Sequence, residues 1–502
     1  MREPALDDAR RVSRRALDLY ADDPLVAEAL ASYDQRLQGP LRVALAGIVK
    51  AGKSTLLNAL LGESIAATDA GECTRVVTWY RRAETPTITL HPHVGPPRRL
   101  PFRREDGRVV LSLDGMSADD VAWIDVGWPS ESLRSLVVID TPGIASLSAE
   151  VSERSTSFLT KNTSASAADA VIYLMRHLHE SDRKFLEAFR DTAVGESLTV
   201  NAVAVLSRTD EIGSARIDSL LSAAKVADRY GQDGDLHSLV LDVLPVAGLL
   251  AEAARTLREK EFRALVQISD MERRERERLL MSADRFVRPN DSTSLSPKER
   301  KELLSRFGLF GVRLSSALIR GGARTSTELA DQLVQQSGLN ALQSFIRTQF
   351  RARAATLKVH GVLPGLESII RENPREGSAE LLIEIERIIV TTHSLRELSA
   401  LSRTRAGGYR LPEAHLAEAE RIVGGHGAEV ADRLAIAGAS GEASTADIDA
   451  LLAKWHGIAE SPLTERAAVE LCRTVIRSLE QIASVERARS VGAQANHIAL
   501  PR

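Results

Sequence analysis

Leu41-Arg-Val-Ala-Leu-Ala-Gly47-Ile-Val-Lys-Ala-Gly52-Lys53-Ser54-Thr55 is the stretch on which the fold turns. Its first part, Leu41 to Gly47, is an apolar run that reads as a strand, and Lys53 to Leu61 reads as a helix. The turn between them has the spacing G-x-x-x-x-G-K-[ST]. Glycines at both ends let the backbone N–H groups of Val49, Lys50, Ala51 and Gly52 turn inward on a phosphate, and Thr55 continues the cradle. The helix N-terminus adds partial positive charge. Lys53 is placed to reach the β/γ oxygens of a nucleotide, and the Ser54 hydroxyl to bind Mg2+. A glycine-rich turn without a ligand is the alternative, and the strand before and helix after argue against it.

Working outward, further strands are expected at Val76–Tyr80, Thr87–Leu90, Leu136–Asp140, Ala170–Leu174, Ala202–Leu206 and Leu239–Val246. Helical segments separate them, which predicts an α/β P-loop domain with a mainly parallel sheet flanked by helices. Leu136-Val-Val-Ile-Asp140-Thr-Pro-Gly143 would deliver Asp140 to the Mg2+ side of the phosphates and offer the Gly143 N–H to the γ-phosphate. Val203-Ala-Val-Leu-Ser207-Arg208-Thr-Asp210 puts a carboxylate just past a strand. There Asp210 can accept both N–H groups of a guanine edge, a pair adenine cannot supply, while Arg208 lays its stem on the base. The usual pattern has Asn or Thr, then Lys; Ser207 and Arg208 depart from it. Asp210 as a simple helix cap is the competing reading. A last base-contacting loop is expected at Val246 and Ala247. Thr74 sits where a switch threonine would meet Mg2+ and the γ-phosphate, with Thr68 as an alternative.

A chain of 502 residues is too long for one core. Hydrophobic residues make up 44% and charged residues 26%, ordinary for a globular protein, and a net charge of -3 asks for no nucleic-acid partner. The two cysteines lie far apart and suggest reduced thiols in the cytoplasm rather than a disulfide framework. The N-terminus has no apolar signal region, and no apolar run is long enough to span a bilayer, so any membrane contact is expected from the side. After about residue 250 helical periodicity takes over. Ser296-Pro-Lys-Glu299 is a capping box. Leu339, Leu342, Ile346 and Phe350 form one apolar stripe, Leu381, Ile385, Ile388 and Leu395 another, and Val469, Cys472, Ile476 and Leu479 a third. An α-helical bundle is expected, with residues 1–38 joining it, 39–352 forming the nucleotide domain with a helical extension from about 250, and 353–502 forming the bundle.

These motifs together resemble the dynamin superfamily, in particular bacterial dynamin-like proteins. Lys50-Ala-Gly-Lys-Ser-Thr-Leu-Leu-Asn-Ala-Leu-Leu-Gly62 and Ser181-Asp-Arg-Lys-Phe-Leu186 look like their counterparts there. Glu63–Ala70, Arg75–Trp79, Asp210–Gly213, Arg216–Leu221 and Arg306-Phe-Gly-Leu-Phe-Gly311 are similar to the isoniazid-inducible dynamin-like proteins of mycobacteria. The likeness is specific over about 41–350. It implies a GTPase using GTP and Mg2+, self-association, work as a peripheral protein with lipid at the inner face of the plasma membrane, and a paralogous dynamin-like partner. Two departures suggest slow turnover: Ile144 follows Gly143 where a water-orienting Gln could stand, and Val49 replaces a polar loop residue. Lys50 is then a candidate catalytic cation acting in cis, since the related guanylate-binding proteins carry an Arg in this loop.

Weaker features have ordinary readings. His91 and His93, and His177 and His179, are read as surface histidines lacking a third ligand. Arg98, Arg99, Arg103 and Arg104 are read as a solvated loop. Arg403-Thr-Arg405-Ala-Gly-Gly-Tyr409-Arg410-Leu411 is the stretch whose arginines and tyrosine would suit anionic lipid, against a plain helix–helix loop. In function, a GTPase coupled to membrane association or remodelling stands against a GTP-dependent scaffold or switch with little turnover, and against an ATPase.

Overall fold

Strand runs that are apolar along their whole length need cover on both faces, and that demand organises the chain. A computed structural model describes residues 4–66, 75–105, 108–111, 113, 115–142, 168–191, 201–212, 218–289, 293–435 and 445–498. Its strands are β1 (Leu41–Gly47), β2 (Thr78–Arg82), β3 (Thr87–Pro92), β4 (Arg98–Arg99), β5 (Phe102–Glu105), β6 (Arg108–Leu111), β7 (Val121–Trp128), β8 (Leu136–Asp140), β9 (Ala170–Met175), β10 (Ala202–Ser207) and β11 (Val243–Val246). Among the described residues the main sheet runs β11-β10-β9-β1-β8-β2-β7-β3-β4, and β5 pairs with β6 apart from it. From β11 to β8 every pairing is parallel. Beyond β8 the sheet is mixed, with β2 antiparallel to β8 and β3 antiparallel to β7. β9 and β10 are buried at every position.

Two expected strands are shorter or shifted. The strand near Val76 begins at Thr78. In the run Leu239–Val246 only Val243–Val246 pairs as a strand, although Leu239, Val240 and Leu241 are all buried. The Asp242 carboxylate accepts from the Val243 N–H and marks the boundary. An apolar run reports burial there, not extension. The arginines at 98–104 form an edge strand and one arm of a hairpin rather than a loop; Arg104 pairs with Glu63 at 3.1 Å and lies over Trp128.

The capping box at Ser296 is formed in both directions and opens the helix Pro297–Arg320. Helices Pro4–Leu19 and Pro24–Gln38 share one core with Ala354–Glu372 and Ser378–Thr391, through Val12, Leu30, Val362, Leu366 and Ile385. Close approach is set by Gly365, where a Cβ would lie 2.2 Å from the Tyr33 hydroxyl. The stripe from Leu381 to Leu395 crosses a break at Thr392, so it spans two helices, the second being His393–Arg405. Cys472 is buried with its thiol pushed up to about 11 by desolvation, so it is inert. Cys73 lies outside the described residues.

Two arginines tie the helices to the sheet. Arg36 pairs with Asp169 at 2.7 Å, both essentially without solvent, and also bonds to the carbonyls of Gly361 and Ala168. The other carboxylate oxygen of Asp169 accepts from the Arg42 N–H at 2.8 Å, at the start of β1. Arg405 is the second tie, and that takes it out of the lipid reading of 403–411. Its side chain is 5% exposed, paired with Glu420 and bonded to the carbonyls of His237, Val240 and Leu241. Tyr409 is buried beneath Arg403. Arg405 and Tyr409 are thus spent on the protein as an internal clasp, while Arg410 reaches Glu465 and Arg403 stays exposed.

Removing Asp169 should leave a buried guanidinium and a buried N–H without their acceptor. Asp169→Ala is expected to lower stability in urea by about 3–5 kcal/mol. A loss below about 1 kcal/mol would show that the pair is not what holds the N-terminal helices to the sheet.

Candidate functional site

The phosphate loop has the backbone that its spacing requires. Gly47 has φ 144°, and a Cβ there would sit 2.3 Å from the Leu174 carbonyl oxygen of the neighbouring strand. Gly52 has φ 96° and leads directly into the helix Lys53–Leu61. Between them Lys50 takes φ 63°, a left-handed conformation that costs a side-chain-bearing residue about 1–3 kcal/mol. Strain of this kind collects where a loop is shaped for a ligand. Val49 and Lys50 are both exposed, and Ala51 is fully buried.

Lys53 Nζ donates to the Gly47 carbonyl at 3.3 Å, and burial lowers its pKa against the pull of Asp140. Asp140, at the end of β8, is raised by burial, with Lys53 and the Ser54 hydrogen bond opposing. Its Oδ2 accepts from Ser54 Oγ at 3.0 Å. Its Oδ1 is buried and has no hydrogen-bond partner among the described residues. A hydroxyl and a carboxylate with an unanswered oxygen make a hard oxygen donor set of the sort Mg2+ takes. Thr141 anchors the turn that follows, its hydroxyl donating to the Leu45 carbonyl at 2.8 Å. Gly143, Ile144, Thr68 and Thr74 lie outside the described residues.

Beside the loop a pocket of about 160 Å³ is walled by Thr55, Leu174, Arg208, Asp210, Val246 and Leu249. Asp210 is buried and its carboxyl is raised, chiefly by loss of water. Ser207, in the position where the usual pattern has Asn or Thr, donates to the Met175 carbonyl at 3.1 Å and so fastens β10 to β9. Arg208 has φ 52° and is paired with Glu211 at 2.8 Å, which also holds Arg176. Ala247 does not line this pocket. It is fully buried, and its N–H goes to the Ser337 carbonyl at 2.9 Å, while Gly248 and Leu249 face the pocket in its place.

Several residues around the site carried no sequence expectation. Helix Pro297–Arg320 is kinked at Gly308 (φ 63°, ψ 170°), and a Cβ there would lie 3.8 Å from Asp210 Oδ2. A glycine inside a helical run was the available signal. Glu252 accepts from Asn58 and Ser64, and Asn58 accepts in turn from the N–H groups of Ile65 and Ala66. That buried network fixes the chain where it leaves for Thr68 and Thr74. Of the histidine pairs, His91 stacks on Trp123 at 4.4 Å, and His177 meets His179 edge-on at 6.4 Å.

The raised carboxyl of Asp210 has a consequence for stability. A carboxyl that binds its proton more tightly folded than unfolded stabilises the fold only at low pH, and that contribution is lost as pH rises through its folded value. At neutral pH the charged form is therefore a burden on the ligand-free protein. Asp210→Asn should raise the ligand-free thermal midpoint at pH 7, with the gain shrinking towards about pH 4, the unfolded value of an aspartate. Equal or lower midpoints at pH 7 would mean that the carboxylate already has a compensating partner.

Residues 42–202 match the 50S ribosome-binding GTPase family. The isoniazid-induced protein IniC of Mycobacterium tuberculosis is 37% identical over 454 residues, covering 90% of this chain and 92% of IniC. A bacterial dynamin-like protein of Nostoc punctiforme is 27% identical over 197 residues, covering 36% of this chain and 26% of its own. A solved structure of an oligomerised bacterial dynamin pair aligns over 97% of this chain and 75% of its own, with 13% identity and a TM-score of 0.30. With a phosphate loop of the required backbone, and with IniC matched along nearly its whole length, the chain belongs to the IniC family of bacterial dynamin-like GTPases.

Proposed function

We propose that this GTPase binds GTP with its triphosphate on Gly47–Thr55 and its base in the pocket closed by Asp210, and couples hydrolysis to rearrangement of its helices at the cytosolic face of a membrane. The observation that carries the nucleotide part is the pairing of Ser54 with Asp140, whose second oxygen is buried and unanswered, next to a pocket ending in a desolvated carboxylate. Mg2+ held by Ser54, Asp140 and the Thr74 hydroxyl would neutralise charge building on the β and γ oxygens. Lys53 holds the same oxygens from the other side, and the Gly143 N–H meets the γ-phosphate. Water attacks phosphorus, the bond to the β–γ bridging oxygen breaks, and GDP and phosphate leave.

The coupling part draws on how the helices are joined to the sheet. Arg36 grips Asp169 immediately before β9, and β9 packs beside the strand that ends in the phosphate loop. In this reading residues 1–38 and 353–502 work as a bundle on the nucleotide domain 39–352, with self-association or a paralogous partner as the means of assembly. No helix among the described residues is long and apolar enough to cross a membrane, so in this reading the contact is with the bilayer surface. A second reading, a switch with little turnover, is favoured by Val49, an exposed apolar side chain where a water-positioning group would serve.

Lys53→Ala should abolish phosphate release from GTP and weaken GTP binding by about 100-fold or more, since it removes the charge facing the β/γ oxygens. Retained turnover in that variant would place the chemistry elsewhere. Lys50→Ala separates the two readings. If Lys50 turns inward onto the phosphates in the transition state, kcat falls by about 10-fold with little change in GTP affinity. Wild-type turnover at every protein concentration would leave Lys50 as an exposed loop residue.

A further inference from the structure

Away from the nucleotide site, helices His393–Arg405 and Arg466–Ile498 face each other across a pocket of about 320 Å³. One wall presents His393, Arg396 and Arg403 at helical spacing, and the other Arg473, Thr474 and Arg477. Four guanidinium groups therefore share a small space with one acid, Glu470. In a chain of net charge -3 this is a strong local excess of one sign.

What the arginines do with their donors matters more than their number. Some exposed arginines elsewhere are paired with acids, as in Arg273 with Glu277 and Arg371 with Glu367. Arg403 and Arg473 make no ion pair with any described residue. Arg403 is instead steadied over the buried ring of Tyr409. Arg396 uses Nε and Nη2 on the Val390 carbonyl, and Arg477 uses Nη1 on Glu480, so among the described residues each has further N–H groups not engaged. At the end of the pocket His393 bonds Ser478 and lies beside Glu397. Burial would raise the Glu397 carboxyl, yet His393, Arg433 and Ser478 hold it at about 2. Glu397 is thus already answered by His393, Arg433 and Ser478 and does not line the pocket.

We propose that this arginine-walled pocket binds a phosphate-bearing anion. Guanidinium forks match phosphate oxygens two at a time, and a bound phosphate would relieve the repulsion that Arg473 and Arg477 feel one helical turn apart. The same chemistry is presented by a soluble phosphate compound and by the headgroup of an anionic phospholipid. The proposal does not depend on the nucleotide reading.

The test uses the full chain saturated with GDP, so that the phosphate loop is filled. Inorganic pyrophosphate is titrated calorimetrically into wild type and into the double variant Arg403→Gln, Arg473→Gln. Both proteins are also sedimented with phosphatidylcholine vesicles with and without phosphatidylglycerol. The variant should lose about 10-fold or more in binding to whichever probe is the true source, with basal GTPase activity unchanged. Loss of pyrophosphate binding alone assigns a soluble phosphate; loss of sedimentation with phosphatidylglycerol vesicles assigns a lipid headgroup. Wild type that binds neither probe, or a variant that binds both as wild type does, overturns the proposal.

Discussion

A lysine and two aspartates at the carboxyl ends of parallel strands give up water before any ligand replaces it, and the architecture of the nucleotide domain serves that arrangement. Lys53 is pushed down and Asp140 up by the same burial, and each partly restores the other. At Asp210 a backbone N–H and Arg208 oppose the rise, but loss of water outweighs them, and Arg208 is also paired with Glu211. Holding these groups dry requires strands buried on both faces, which β9 and β10 provide, and a loop backbone that only glycine at 47 permits. Desolvated charge is costly in the empty protein and strongly attractive to the right ligand.

The helices are attached where that site can feel them. Arg36 reaches from the N-terminal helices into the start of β9, and Arg405 clasps the segment leading into β11. β9 lies against the strand that carries the phosphate loop, and β11 ends at the pocket walled by Asp210 and Val246. Each end of that half of the sheet is thus bonded to a buried arginine from the helices. The small residues Gly361 and Gly365 bring the helices close enough for Arg36 to make its bonds.

Much of the site was legible because it is written in local spacing. Gly47, Lys53, Ser54 and Asp140 lie where their motifs put them, since each motif carries its own strand and turn. Ser207 and Arg208 were readable as departures, but not their roles, because the Met175 carbonyl and Glu211 that they engage come from β9 and the following turn. Ala247 was misplaced by a single residue, as loop register depends on the distant Ser337. The 403–411 stretch stayed open between a lipid-facing loop and a plain helix–helix loop for a similar reason. Arginine and tyrosine suit a lipid surface and a buried clasp equally well, and only the partners His237, Val240 and Leu241 decide between them. Gly308 shows the converse: its glycine was visible, but its closeness to Asp210 belongs to the tertiary fold.

The central claim is that the desolvation of Asp210 is not recovered until a guanine base arrives. Thermal midpoints of the full chain with Mg2+ and saturating GDP or ADP test it most directly, since both ligands place the same diphosphate on the same loop. The account predicts a clearly larger rise with GDP, and for Asp210→Asn a loss of that difference with a new preference for xanthosine diphosphate. Equal shifts from GDP and ADP in the wild-type protein would contradict it.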